Sequence, residues 1–332
     1  MIIKQSLLTL AVALATASGA AQAAQSYCVF DPAGATGQAF NLAKDYVLEA
    51  KKWGADLVAK PYTDERVAAE DFKAGQCDAV AITGLRGRQF SPFVGSIDAI
   101  GGVPSMKHLN MIIHVLSDPK AAKDMVNGQY EVAGIIPLGG AYIFVRDRSI
   151  NSVEKAAGKK IAVLDYDKSQ AKMAQQMGVQ PVSSDILTIG PKFNNGQVDI
   201  IAAPAIAYKP FELYKGLGTT GAVYHFPLIE MTGDIIIRPE KFPAGFGQKS
   251  RTWIASQTAR GEALVSAAEA TIPAKYWMDL SPTDSARYVQ MMRVGRISLM
   301  KDGTYDARMM HFLKKIRCTI TPGDAECSNN DE

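Results

Sequence analysis

Residues 140–165 read GAYIFVRDRSINSVEKAAGKKIAVLD, and residues 177–208 read MGVQPVSSDILTIGPKFNNGQVDIIAAPAIAY. An apolar run, GAYIFV, gives way to a short helical stretch that stops at Gly158. A second run, KIAVL, follows, then a helical segment. Gly196-Gln197-Val198-Asp199 next turns the chain into a third run, IIAAP. Short apolar runs bounded by glycine and separated by helical segments predict buried parallel strands. In such a sheet the loops gather outside the carboxyl ends of the strands, where small ligands bind. The same rhythm occurs upstream, where EDFKAGQCDAVAITG (70–84) passes from helix through Gly75 and Asp78 to strand. Two such halves predict a two-lobed α/β protein that closes on a solute.

Working outward, YCVFD (27–31) reads as a first strand, PAGATG (32–37) as a turn, and QAFNLAKDYVLEAKKWG (38–54) as a helix. ADLVAKPY (55–62) is a second strand and TDERVAAEDFKAG (63–75) a second helix with Thr63 as its N-cap. DAVAITG (78–84) is the third strand. From Arg86 to Met106 the chain is rich in Gly and Pro, a long loop of the kind that usually carries function. A helix is expected over 107–127, then strands near 130–136 and 141–146. AVYHFPL (222–228) and GDIIIRPEKF (233–242) read as strands leading back to the first lobe. The C-terminal third is helical. There Ser281-Pro282-Thr283-Asp284 combines a cap, a first-turn proline and a first-turn acid. Methionines 291, 292, 300, 309 and 310 read as packing residues. Lobe I is expected to comprise 26–142 plus 232–275, and lobe II 143–231 plus 276–328.

The chain has 332 residues, and its first 23 carry an export pattern: Lys4, the apolar SLLTLAVALA (6–15), and Ala21-Gln22-Ala23. This predicts a signal peptide cleaved after Ala23 and a periplasmic protein. The apolar run is well short of the roughly 18 residues that span a bilayer. Residues 25–27, Gln-Ser-Tyr, ahead of Cys28 do not make a lipid-attachment site. With 36 Lys+Arg against 33 Asp+Glu the net charge is +3, and loss of Lys4 leaves +2. That balance, with no Lys/Arg run, speaks against nucleic acid and against direct insertion into a membrane. Four cysteines in an exported chain predict two disulfides, with three possible pairings. Cys28 and Cys77 open strands of one lobe, and Cys318 and Cys327 bracket a Pro-Gly loop, so Cys28–Cys77 and Cys318–Cys327 are expected. No Cys-x-x-Cys occurs and His108, His114, His225 and His311 lack metal-ligand spacing. No metal or cofactor is expected.

Gly216-Leu217-Gly218-Thr219-Thr220-Gly221 matches GxGxxG, but a helical stretch precedes it and a strand follows. That is the reverse of the dinucleotide-binding arrangement, so it reads as a helix stop. No GxSxG, Walker A or HExxH motif is present, and a binding protein is expected, not an enzyme. Candidate ligand contacts lie where strands end. Asp31 begins the first strand-to-helix turn, where a helix N-terminus offers free N–H groups with Thr36 as possible cap. Arg86 and Arg88 follow the third strand and could clamp a carboxylate or phosphate with forked hydrogen bonds. Asp165, Tyr166 and Asp167 follow KIAVL and would suit a cationic or polyhydroxylated ligand, or else cap the next helix. Tyr142 lies at the expected lobe crossing, and Tyr208 follows VDIIAAP.

The order GAYIFVRDRSINSVEKAAGKKIAVLD, MGVQPV, FNNGQVDIIAAP resembles the DctP-like solute-binding proteins of TRAP transporters. With FKAGQCDAVAITG and SPFVGSIDAIGG the resemblance covers most of 60–240. TGLRGRQFSPFVGSIDAIGG is similar to a subgroup associated with RND-type efflux systems. The resemblance implies a type II periplasmic binding fold with a hinge, a small-molecule solute, and integral-membrane transporter subunits as partners. The alternative it leaves open is a ligand-independent accessory protein of an RND-type envelope efflux assembly. One departure bears on the ligand. Where the TRAP pattern Gly-x-Lys-Ile-Arg-Val carries a carboxylate-clamping arginine, this chain has Ala162. A charge-assisted hydrogen bond is worth about 1.5–3 kcal/mol, so an organic acid would need Arg86 or Arg88 instead.

Overall fold

The computed structural model describes residues 24–332. The expected export segment lies outside them. Among the described residues the strands are β1 (Gln25–Phe30), β2 (Leu57–Tyr62), β3 (Ala79–Thr83), β4 (Val126–Asn127) and β5 (Tyr130–Val145). After these come β6 (Lys160–Leu164), β7 (Gln180–Ser184), β8 (Ile200–Pro204), β9 (Ala222–Ile237) and β10 (Trp277–Met278). They form one sheet in the order β2-β1-β3-β9-β5-β8-β6-β7, with β4 on β5 and β10 on β9. β1 runs parallel to β2 and β3, and β6 runs parallel to β7 and β8. The fold is therefore α/β with two parallel groups, as the rhythm of the sequence predicts.

What joins the groups differs from the expectation. The runs near 130–136 and 141–146 are one 16-residue strand, and those at 222–228 and 233–242 are another, ending at Ile237. The two pair antiparallel along their length. β9 runs antiparallel to β3 at its far end, and β5 runs antiparallel to β8. Register shifts at Pro137/Gly139, Ala141/Tyr142 and Tyr142/Phe144 mark the crossing. Such irregularities bend a strand and sharpen its twist without ending the pairing. Gly139 sits here at φ +89°, and a Cβ on it would lie 2.7 Å from Val265.

Helices cover both faces of the inner strands, so these are nearly continuous apolar runs, while the edge strands β2 and β7 are more polar and exposed. Within β5, Ile143 and Val145 point into one core with Val163, Tyr224 and Tyr288. Phe144, between them, points into the opposite core with Phe193, Ile201 and Leu213, as period-two alternation requires. In the first half, Cys28, Phe72, Ile97, Leu109 and Ile112 share a core with Met309, Met310 and Leu313. The Ala307–Ile320 helix thus packs on the Met106–Ser117 helix of the first half, although the sequence places it with the second lobe. Tyr27, Tyr46, Ile235 and Phe246 fill the other face.

The helix expected over 107–127 ends at Ser117, because Asp118 turns extended and caps the next turn, which begins at Pro119. Asp64, not Thr63, caps the Glu65–Lys73 helix, its carboxylate accepting from the Arg66 and Val67 N–H groups. Gly37 occupies the first N-cap position, while Thr36 donates to Ala33 O. Ser281 caps the Pro282–Lys301 helix as expected, and the 216–221 glycines end a short helix before β9. Both expected disulfides are present, Cys28–Cys77 and Cys318–Cys327. No described helix is long and apolar enough to cross a membrane.

Candidate functional site

β3 ends at Thr83, whose hydroxyl accepts from the Arg86 N–H and starts the short Gly84–Gly87 helix. That turn points both arginines toward the loop after β6. Arg86 is buried. Its Nε donates to Glu65 Oε2 at 3.2 Å, and its guanidinium carbon lies 3.5 Å from the centre of the Tyr166 ring. Tyr166 Oη donates to the same Glu65 oxygen at 3.2 Å, and Glu65 Oε1 accepts from Thr83 N–H at 2.7 Å. Arg88 donates from Nε to Gly95 O at 3.0 Å and from Nη1 to Asp167 Oδ1 at 3.3 Å. Its guanidinium carbon lies 5.1 Å from the Tyr305 ring centre. The two arginines after β3 thus meet the residues after β6, Arg86 with Tyr166 and Arg88 with Asp167. Each contact bridges the two halves.

Behind them lies a group of buried acids that the sequence patterns do not single out. Asp98 Oδ1 accepts from Thr232 N–H at 3.1 Å and from Thr232 Oγ1 at 2.8 Å, while Oδ2 has no partner. Asp234, on β9, is buried with neither oxygen partnered, and Glu230 Oε2 is likewise unpartnered. Gly87 makes the approach possible, since a Cβ there would lie 2.7 Å from Asp234 Oδ2. The one signal in the chain is a lone acid inside an apolar run: SIDAI, TGDIII and LIEM.

Burial pushes the Asp98 carboxyl up from its ordinary 3.8 to about 7; Thr232 and Arg88 oppose this and Asp167 adds to it. Asp234 is also pushed well up by burial and then by the charge of Asp98. Burial, followed by the charge of Glu269, raises Glu230 to about 7. For Asp98 the folded pKa exceeds the unfolded one, so its stabilising contribution is complete below about pH 4. It is lost as the pH rises through 7. Asp98→Asn keeps the acceptor for Thr232 and cannot ionise. It will stabilise the protein at pH 8 by about 2–4 kcal/mol, each tenfold change in proton affinity being worth about 1.36 kcal/mol. At pH 4 it will have little effect. Urea denaturation at both values reads this directly, and equal effects at the two would refute it.

Asp98 and Asp167 line a cavity of about 120 Å³. Its other polar lining residues are Ser169, Gln170 and Tyr305, and the rest of the wall is apolar, with Leu85, Ile100, Ala162, Leu164, Met173 and Met231 among them. Met291 and Met292 line it too, so these two do more than pack one helix on another. Asp167 caps the Lys168–Gln176 helix through Oδ1, which accepts from Ser169 N–H at 3.0 Å and Ser169 Oγ at 2.5 Å; Oδ2 is buried without a partner. Ala162, at the departure from the TRAP pattern, faces this cavity. Neither Arg86 nor Arg88 lines it.

The remaining candidates lie elsewhere. The Asp31 carboxylate accepts from the Ala33 and Phe40 N–H groups at 2.8 and 3.1 Å and fills the space a Cβ on Gly37 would need. It serves the turn. Tyr142 Oη donates to Glu269 Oε1 at 2.5 Å and its ring stands edge-on to Trp277. Tyr208 is buried in the second half, edge-on to Tyr214. Asp165 is exposed, with its backbone N–H donating to Ser184 O. Among the described residues no three His, Cys, Asp or Glu side chains are grouped to hold a metal ion.

The family model for solute-binding protein AdeT 1/2 matches residues 49–332. The probable solute-binding protein AdeT1 of Acinetobacter baumannii is 56% identical over 304 residues, covering 92% of this chain and all of the relative. The probable solute-binding protein AdeT2 of the same organism is 32% identical over 236 residues, covering 70% and 98%. Among solved structures, a TRAP periplasmic solute binding protein from Desulfovibrio salexigens with bound orotic acid aligns with a TM-score of 0.73 at 12% identity, over 89% of this chain and 99% of that one. One from Haemophilus influenzae with bound L-gulonate aligns at 0.71 and 12%, over 88% and 99%. At such identities the likeness shows the fold, which is the two-lobed one of TRAP periplasmic binding proteins. The resemblance read from the sequence holds.

Proposed function

The chain belongs to the solute-binding protein family AdeT 1/2, and from that premise we propose that it is a periplasmic receptor. In this reading it captures a small solute between its two lobes and hands it to an integral-membrane transporter of the TRAP kind. Its role is binding, without catalysis. The observation that carries the reading is the cavity walled by both halves, with Leu85, Asp98 and Ile100 on one side and Ala162, Leu164 and Asp167 on the other. A ligand that touches both walls favours the closed arrangement by its differential affinity. The two bent strands at the crossing are then the hinge.

Residues 26–142 plus 232–275 form lobe I in this reading, and 143–231 plus 276–328 lobe II, with the last helix docked on lobe I. Residues 1–23 are the export signal, and the two disulfides fit an oxidising compartment. The solved neighbours, whose bound molecules are orotic acid and L-gulonate, support a solute of small size. A thermal-shift screen of the purified protein against organic acids, amines and sugars tests the proposal. A ligand at a hundred times its Kd raises stability by about 2.7 kcal/mol, so at least one saturable shift is expected. No shift anywhere in the panel would favour the ligand-independent efflux accessory instead.

A further inference from the structure

We infer that the solute is an organic ammonium: a protonated amine on an apolar body, its nitrogen held by Asp98 and Asp167. The inference rests on the receptor reading and names the solute class of the same cavity. The cavity has two charged lining residues, Asp98 and Asp167, and both are acids. Each uses one carboxylate oxygen within the protein and keeps the other buried and unpartnered. Ionised carboxylates in such surroundings call for a cation or a hydrogen-bond donor.

The nearby cations do not meet that demand. Arg86 is engaged by Glu65 and Tyr166. Arg88 reaches Asp167 only through the oxygen already shared with Ser169, and it stands outside the cavity wall. Asp98 and Asp167 share Arg88, whose Nη2 is itself buried without a partner, so with both acids ionised the group carries one negative charge in excess. An anionic solute would add to it. An ammonium would neutralise part of it and donate to the two free oxygens.

The remaining wall sets the other end of the molecule. It is built mostly from Leu85, Ile100, Ala162, Met173, Met231 and their apolar neighbours. Its polar members are engaged within the protein, Ser169 Oγ with Asp167, Gln170 Oε1 with Leu164 N–H and Tyr305 Oη with Ile100 N–H, so it favours an apolar body. A dry cavity of roughly 150 Å³ admits benzene. One of about 120 Å³ therefore takes a body of similar or slightly smaller size. Ala162 contributes no charge where an arginine would reverse the preference.

Calorimetric titration of the purified protein with butylamine and cyclopentylamine, and with the shape-matched acids pentanoate and cyclopentanecarboxylate, tests this. Saturable binding of an amine is expected, with the matching acid at least about tenfold weaker, the effect of one charge-assisted hydrogen bond. Asp98→Asn should weaken amine binding by at least about tenfold while its circular dichroism stays native. Asp167→Asn, which keeps a capping oxygen, provides the same test should the first variant not fold. Acids binding as tightly as amines, or amine binding indifferent to both variants, would overturn the ammonium assignment and leave the receptor reading standing. Binding of neither class would overturn the assignment as well. The wider thermal-shift panel would then decide the receptor reading separately.

Discussion

Arg317→Ala will destabilise the protein by about 3–5 kcal/mol, the cost of breaking a buried ion pair from one side. Arg317 is buried on the Ala307–Ile320 helix. Its Nε donates to Glu326 Oε1 at 2.5 Å, Nη2 to Glu332 Oε2 at 2.9 Å and Nη1 to Gly102 O at 2.8 Å. Removing the guanidinium leaves Glu332, whose side chain has no exposure, with Arg296 as its remaining cation. The Gly102 carbonyl loses its donor. Arg296 holds the same segment through Ile100 O at 3.1 Å, so the loop that follows Asp98 is pinned by two arginines from two helices. Arg308 gives the contrast. It pairs with Asp124 and Asp306 but is largely exposed, so Arg308→Ala should cost no more than about 1 kcal/mol. Urea midpoints of the two variants measure the difference, and equal losses would contradict the buried-network account.

Glu65→Ala will cost a similar amount, about 3–5 kcal/mol, for a different reason. Its carboxylate accepts from Thr83 N–H, Arg86 Nε and Tyr166 Oη, and it is completely buried. Alanine leaves the buried Arg86 without its anion and the Tyr166 hydroxyl without its acceptor. The double variant Glu65→Leu, Arg86→Met replaces both charges with apolar groups and should recover the part of the loss that comes from a stranded charge, while Thr83 N–H and Tyr166 Oη still lack their acceptor. A double variant that loses the sum of the two single effects would show that the pair is not coupled. Tyr166 belongs to the opposite half from Glu65 and Arg86, so both variants also weaken a contact across the cleft.

How much of this can be read from the chain alone depends on what each pattern reports. β1, β3, β6 and β8 are legible because both sheet faces are largely covered, which makes their sequences short, mostly apolar runs between turns. The edge strand β2, LVAKPY, is half exposed and reads as a strand from its β-prone residues and flanking turns. The central strands read as two pieces each. Pro137, Gly139 and Pro227 break the pattern locally, while the pairing that carries the strand across is a property of the partner. The 106–117 helix reads too long although Asp118-Pro119 marks its end. At the site, Arg86, Arg88, Tyr166 and Asp167 stand out individually because they follow strands. Their mutual pairing does not, since a chain does not state which cation meets which anion. Asp31 and Tyr208 also end strands, yet one serves a turn and the other a core. Asp98, Asp234 and Glu230 escape notice because each is a single acid in an apolar run, and only the folded neighbourhood shows that each keeps at least one oxygen buried without a partner.

The central claim is that a small solute held between the halves closes them, and small-angle X-ray scattering measures this most directly. Profiles should be recorded for the purified protein alone and at saturation with whichever compound gives the largest thermal shift. The account predicts a smaller radius of gyration with the solute present. It also predicts that a variant lacking the Asp98 charge, at the same solute concentration, keeps the larger value. An identical profile with and without a compound that demonstrably binds would contradict it.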